Sequence, residues 1–370
     1  MQTSDLNLRM NQKKKIRICF RVDSSNFIGI GHVKRCINIA LSFQEAGFEP
    51  FFLTKNFEQN NYAEIIKAGF EKINIDSEIN KDTNLKNEKN WLCCDWREDA
   101  SKTYKELKSL DCSIIFIDHY GISKSWESYL KKKGISLISL DDIGRDHESD
   151  ILIDYSFWKS KEFFNNISSE TLILFGRNFL PLDKKFSNFK FKRKNFKKPN
   201  ILISTGGFDN ENLTSKIIKS LNNRNIETIN KVIIVVNKNI KKTIEKALNL
   251  SKFKYEVYYS PDALGKFYSE TDVCIGSSGV SALERVYFQI PQLIFLKANN
   301  QLQTARNLEL RNMALVEKNL DYKKVKTSID KFLKTAELEM MHQNTIDFFN
   351  LDGTLNITKK VCNKLRINNV

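Results

Sequence analysis

Apolar runs of four to seven residues, rich in Ile, Val, Leu and Phe, recur along the chain, and most are followed by ten or more residues of helical pattern. Runs this short and uniformly apolar suit parallel strands buried on both faces, with the intervening helices covering the sheet. Strands are expected near Arg17–Arg21, Pro50–Thr54, Ser113–Asp118, Leu137–Leu140 and Ile151–Asp154, with helices from about His32 to Ala46 and Trp126 to Lys133. The rhythm then starts again, with strands at Asn200–Thr205, Lys231–Val236, Tyr255–Tyr259, Val273–Ile275 and Leu293–Leu296. The fold class is therefore α/β, with two doubly wound Rossmann-like domains facing a cleft.

The chain's 370 residues can supply two separate cores. The first domain is expected over residues 1–185, a basic linker over 186–199 and the second domain over 200–370, with the last helix packing back on the first domain. The stretch PLDKKFSNFKFKRKNFKKPN carries eight Lys/Arg and one Asp, nearly half of the chain's formal +15. So large a positive charge asks for an acidic partner. Basic residues interleaved with Phe could grip phosphates and stack bases, but a linker of this kind reads first as solvated, and no nucleic-acid partner is expected.

The basic N-terminus leads into the short run IRICF and lacks the apolar stretch of a signal peptide. No run approaches the roughly 20 apolar residues needed to span a bilayer. Most of the seven cysteines sit in apolar runs without CxxC spacing, and the adjacent Cys93 and Cys94 make a poor metal site. A cytoplasmic protein without metal or cofactor is the expectation.

The chemistry-bearing motifs lie where strands give way to helices. After the first strand, Arg21 and Asp23, expected with Gly29 and Gly31 to bind substrate, precede those two glycines, and His32 opens an amphipathic helix. Glycine lets the backbone approach a ligand, and a helix start favours an anion. The dinucleotide pattern GxGxxG is broken by Lys34. A helix start also disfavours a protonated ring, so His32 can act as a general base or simply pack. Asp118, His119 and Tyr120 stand at the edge of another strand, Asp118 reading most simply as a turn cap. Asp141, Asp142, Arg145 and His147 read as an internally paired, solvated loop. In the second half Gly206 and Gly207 follow a strand, ahead of a helix that Asn212 or Thr214 begins. Gly276, Ser277, Ser278 and Gly279 precede a helix carrying Glu284, a pattern suited to a diphosphate and to ribose hydroxyls.

Together the stretches RVDSSNFIGIGHVKRC, CCDWREDA, IDHYGISKSWE, DDIGRDHESDILID, ISTGGFDNENLT, IGSSGVSALERVYFQIP, ANNQ and LDGTLNITKKV resemble the UDP-sugar hydrolases of pseudaminic acid biosynthesis. These release UDP from UDP-2,4-diacetamido-2,4,6-trideoxy-β-L-altropyranose and are related to inverting glycosyltransferases of the GT-B fold. The chain differs from the family pattern at Lys34, Val280–Ala282 and Tyr155–Phe157, which bears on substrate identity more than on reaction type.

The resemblance implies that His32 activates the attacking water and that Tyr120 is a second active-site group. Gly276–Gly279 and Glu284 would hold diphosphate and ribose, and Asn300 and Gln301 would contact sugar or phosphate. It further implies a UDP-sugar as the partner and work beside other enzymes of nonulosonic acid synthesis. A GT-B glycosyltransferase and a non-catalytic UDP-sugar binding protein are the competing expectations.

Overall fold

The structure is a computed structural model that describes residues 15–25, 28–58, 60, 62–75, 79–80, 83–85, 87–206, 209, 211–261, 264–297 and 301–367. The first sheet contains β1 (Arg17–Arg21), β2 (Glu49–Lys55), β3 (Glu71–Ile75), β4 (Ile114–Ile117), β5 (Ser136–Leu140), β6 (Ile151–Asp154) and β7 (Leu172–Phe175). Its order is β3-β2-β1-β4-β5-β6-β7, with every pairing parallel. The second contains β8 (Asn200–Ser204), β9 (Lys231–Val236), β10 (Tyr255–Tyr259), β11 (Val273–Ser277), β12 (Gln292–Phe295) and β13 (Ala314–Glu317). It runs β10-β9-β8-β11-β12-β13, again all parallel.

Each strand order reverses once, between β1 and β4 in the first sheet and between β8 and β11 in the second. In doubly wound folds such switch points open a crevice at the carboxyl ends of the strands. The central strands are buried along their apolar runs, with β4 and β6 buried throughout and β9 buried from Val232 on. Three strands carried no clear sequence signal. β3 (EKINI), β7 (LILF) and β13 (ALVE) are edge strands, mostly half-buried, so polar residues are tolerated and no fully buried run is needed.

Helix α1 (Gly31–Glu45) follows β1, α3 (Trp96–Ser109) precedes β4, and α8 (Val280–Tyr287) follows β11; α2 (Ala63–Lys67) lies between β2 and β3. Between them in chain order are α4 (Lys124–Lys131), α5 (Leu213–Asn222), α6 (Lys241–Leu248) and α7 (Gly265–Glu270), and then come α9 (Leu302–Leu310), α10 (Tyr322–Phe332), α11 (Thr335–Thr345) and α12 (Gly353–Leu365). Asp209, not Asn212, caps α5: its carboxylate accepts from the Leu213 and Thr214 amides, while Asn212 makes no side-chain cap.

The chain crosses between the domains twice. On the first crossing Phe186 packs edge-to-face on Phe288 at 5.0 Å, and Phe189 and Phe191 lie against the same ring. Lys192 pairs with Asp272, and Lys194 donates to the Thr271 carbonyl. Burial pushes the Lys194 amine down to about 8. This segment is docked on the second domain, a correction to its reading as a solvated linker, and its phenylalanines stack on protein rings. On the second crossing α12 returns to the first domain and packs on α1, where Thr358 donates to Ser42. Gly353 meets the Leu180 carbonyl so closely that a Cβ would fall 1.9 Å from its oxygen. Among the described residues no helix is long and apolar enough to cross a membrane.

Candidate active site

His32 sits in the first turn of α1, over the switch point of the first sheet, and is 6% exposed. Its Nδ1 lies 2.7 Å from Asp118 Oδ1, just past the end of β4. Two acceptors at that distance would repel, so Nδ1 carries a proton, and in the neutral ring the lone pair is on Nε2. Arg35 Nη2 also approaches Nδ1, at 3.0 Å, but lies closer to Asp118 Oδ1, at 2.5 Å. No described residue hydrogen-bonds to Nε2. The imidazole is held edge-to-face by the Tyr120 ring at 4.6 Å and the Trp91 ring at 5.6 Å, and those two rings stack on each other.

Asp118 is therefore more than a turn cap. Arg35, one turn beyond His32 on α1, forks onto both its oxygens, each at 2.5 Å. Burial alone would raise the Asp118 carboxyl, but the Arg35 guanidinium and His32 outweigh it and hold the group well below the usual carboxylate range. Arg35 also donates to the Tyr155 hydroxyl at 2.6 Å and lies 3.3 Å from Asp142. Asp142 in turn accepts from the hydroxyls of Tyr120 and Tyr155. Tyr120 thus meets His32 through its ring, while its hydroxyl is committed to Asp142; burial, reinforced by that carboxylate, pushes the phenol well up.

The loop after β5 is internally paired but not solvated. Asp141 is 2% exposed and binds Arg145 at 2.9 Å, and His147 lies between Glu127 at 2.8 Å and Asp141 at 3.5 Å. Arg145 donates to the Tyr120 and Ile122 carbonyls, fixing the turn that presents Tyr120.

Arg21 and Asp23, expected to touch substrate, have no exposed surface. They pair at 2.8 Å beneath the site floor, with Arg21 also on Asp99 at 3.0 Å and Asp23 on His119 at 3.0 Å. His119 accepts the Gly121 amide at its other ring nitrogen, so this buried cluster braces the same turn from below.

In the second domain Gly276 lies inside β11, and a Cβ there would fall 2.1 Å from the Ser204 carbonyl oxygen. Strand packing, not a loop, demands this glycine. Gly279 caps α8 at a φ of +119°, and Gly206 has a φ of +86°, with a Cβ there reaching 3.1 Å from Ser277 Oγ. Gly29 also has a positive φ, +75°. Ser277 and Ser278 are buried at the end of β11. Ser278 Oγ lies 3.5 Å from the Gln301 carbonyl, and the Gln301 amide borders Gly279. Glu284 accepts from Tyr268 at 2.8 Å; burial pushes its carboxyl up, against the pull of Lys34 across the cleft. Gly207 and Asn300 lie outside the described residues.

Gly31 and Val280 set the two domains' helix starts opposite each other, a Cβ on Gly31 falling 3.9 Å from a Val280 methyl carbon, and neither α1 nor α8 has a side-chain cap. Free amides at both starts make the space between them suited to an anion. Among the described residues no group of three or more His, Cys, Asp or Glu is arranged to hold a metal ion.

Solved structures with the same architecture cover nearly the whole chain. Acinetobacter baumannii MurG matches with a TM-score of 0.64 over 94% of this chain and 99% of its own, at 12% identity. The fold is of the GT-B type. S. aureus MnaA, in a co-structure with UDP, shares this GT-B architecture with a TM-score of 0.62 over 95% of this chain and 97% of its own, at 10% identity. No protein-family model matches. The chain is 24% identical over 304 residues to the uncharacterized protein MJ1062 of Methanocaldococcus jannaschii, covering 78% of this chain. It is 26% identical over 209 residues to the UDP-2,4-diacetamido-2,4,6-trideoxy-β-L-altropyranose hydrolase of Campylobacter jejuni, covering 56% of this chain. The matches span 57% and 66% of those relatives' own lengths.

Proposed function

We propose that this protein hydrolyses a UDP-activated diacetamido-trideoxy sugar to UDP and the free sugar. The observation that carries the reading is His32 at the opening of α1, its Nδ1 proton directed to Asp118 and its Nε2 lone pair left for a water. The distant likeness to the Campylobacter jejuni hydrolase supports the substrate class, UDP-2,4-diacetamido-2,4,6-trideoxy-β-L-altropyranose being its first candidate. The GT-B fold, shared with a protein solved with UDP, supports nucleotide-sugar chemistry more broadly.

In this reading Nε2 takes a proton from water as its oxygen attacks the anomeric carbon. The bond to the diphosphate oxygen breaks, and its electron pair leaves with UDP. A diphosphate is already an anion, so amides at the α8 start, with Ser277, Ser278 and Gly279, suffice to stabilise its departure. Attack opposite the leaving group inverts the anomeric centre, as for the base-activated water of inverting glycosidases. Asp118 stabilises the imidazolium that forms, the role the carboxylate plays in a Ser-His-Asp triad. Tyr120 shapes the pocket through its ring. Gly29, Gly31, Lys34, Gly206, Glu284 and Gln301 border the nucleotide and sugar.

A glycosyltransferase that passes a UDP-amino sugar to an acceptor is the second reading, favoured by the GT-B fold shared with MurG. The two separate cleanly. Candidate UDP-sugars are incubated with the purified chain and no acceptor, and UDP is measured: a hydrolase releases it at full rate, a transferase far more slowly. His32→Ala should abolish release while leaving UDP binding intact, and unchanged turnover would sink the base assignment.

A further inference from the structure

The contacts around His32 form a closed ring. Asp118 bonds to His32, Arg35 forks onto Asp118, Asp142 receives Arg35 directly and through Tyr155, and the Tyr120 hydroxyl donates to Asp142 while its ring packs on His32. Arg35 is the member that joins the two halves. It is 2% exposed and its guanidinium uses three nitrogens on four acceptor atoms.

We propose that Arg35 is a positioning residue: by clamping Asp118 on one side and Asp142 with Tyr120 on the other, it keeps the His32 proton on Nδ1 and the Nε2 lone pair facing the cleft. This rests on His32 serving as the base. With one oxygen shared between His32 and Arg35 and the other held by Arg35 Nε, Asp118 has a single orientation that its two partners define together. Only the planar fork of arginine makes both bonds at once, so lysine is no substitute.

The ring also sets the charge that His32 meets. From α1 it faces Arg35, with Cys36 nearby against Asp118; from the end of β4 it faces Asp118 and Tyr120; from the loops after β5 and β6 come Asp142 and Tyr155. Two carboxylates and one guanidinium leave a resting charge of −1, which a proton on His32 neutralises. Without Arg35 the charge would be −2, and Asp118 would lose the partner that fixes its orientation toward His32.

The test is nitrogen-resolved NMR of the His32 ring against pH in the intact chain, beside the pH profile of UDP release. The parent chain should show one Nδ1–H tautomer. Arg35→Met should take up its proton at a pH higher by about one unit, with the acid limb of activity moving the same way. Arg35→Lys should mix the two tautomers, and Asp142→Asn should shift proton uptake to lower pH. The last two decide the matter if Arg35→Met fails to fold. An unmixed Nδ1–H tautomer in Arg35→Lys, or proton uptake that does not fall in Asp142→Asn, would overturn the proposal. If the ring titrates as stated but no UDP is ever released, the hydrolase reading fails while this inference stands.

Discussion

Gly31 and Val280 face each other across the cleft, and a Cβ on Gly31 would lie 3.9 Å from a Val280 methyl carbon. That is ordinary contact, so Gly31→Ala fits without moving either domain. Gly31→Leu must push the α1 and α8 starts apart, and overpacking of this kind costs about 1–3 kcal/mol, of which about 1.4 kcal/mol already lowers affinity tenfold. Calorimetric titration with UDP should show near-parent affinity for the alanine variant and a loss of about tenfold for the leucine variant. Equal affinities would mean that the two starts do not enclose the nucleotide.

Asp118→Asn tests the tautomer. An amide can offer its nitrogen to the His32 ring, and the proton then moves to Nε2. In a serine protease triad the matching change costs roughly 10⁴-fold in kcat, and about 10³- to 10⁴-fold loss of UDP release is expected, with UDP affinity retained. The variant also removes the anion opposite buried Arg35, so a lower melting temperature should accompany it.

Two glycines are required by close backbone packing. Gly276→Ala would drive a methyl to 2.1 Å from the Ser204 oxygen and force β8 and β11 apart. Destabilisation of about 3 kcal/mol is expected, read as a fall in melting temperature, with UDP affinity lost as Ser277 shifts. Gly353→Ala meets the Leu180 carbonyl and should lift α12 from α1, which limited proteolysis near residues 346–353 would report.

His147 predicts how stability varies with pH. Burial opposes its charge, but the Asp141 and Glu127 carboxylates on either side of the ring outweigh that and push the imidazole up to about 9. Its folded value lies above the unfolded value of about 6.5. Its contribution is therefore complete below about pH 6.5 and is lost as pH rises through about 9, by up to about 3 kcal/mol. Denaturant unfolding between pH 6 and 10 should show this decline in the parent chain and a flatter profile in His147→Gln.

Much of the architecture was legible because central strands of a parallel sheet are buried on both faces, so runs such as ILID and KVIIVV announce themselves. The edge strands were not, since one bare side frees their composition. At the site, Gly31 and His32 stood out from the glycine spacing and the strand-to-helix change. Arg35 gave one faint signal, its position three residues after His32 on the same helix face. Asp118 and Asp142 looked like ordinary loop acids, because their partners arrive from residues 83 and 107 positions away. Arg21 and Asp23 misled for the opposite reason: polar residues at a strand's carboxyl end can turn beneath the floor and brace it, as these do. The basic linker concealed its docking because the aromatic partners, Tyr268 and Phe288, come from the second domain.

The most direct test of the account follows a UDP-diacetamido-trideoxy sugar by anomeric-resolved NMR with the purified protein and no acceptor. The account predicts UDP and a free sugar of inverted anomeric configuration, formed by the parent chain and not by His32→Ala. A nucleotide sugar that stays intact, or that is consumed only when an acceptor is added, would contradict it.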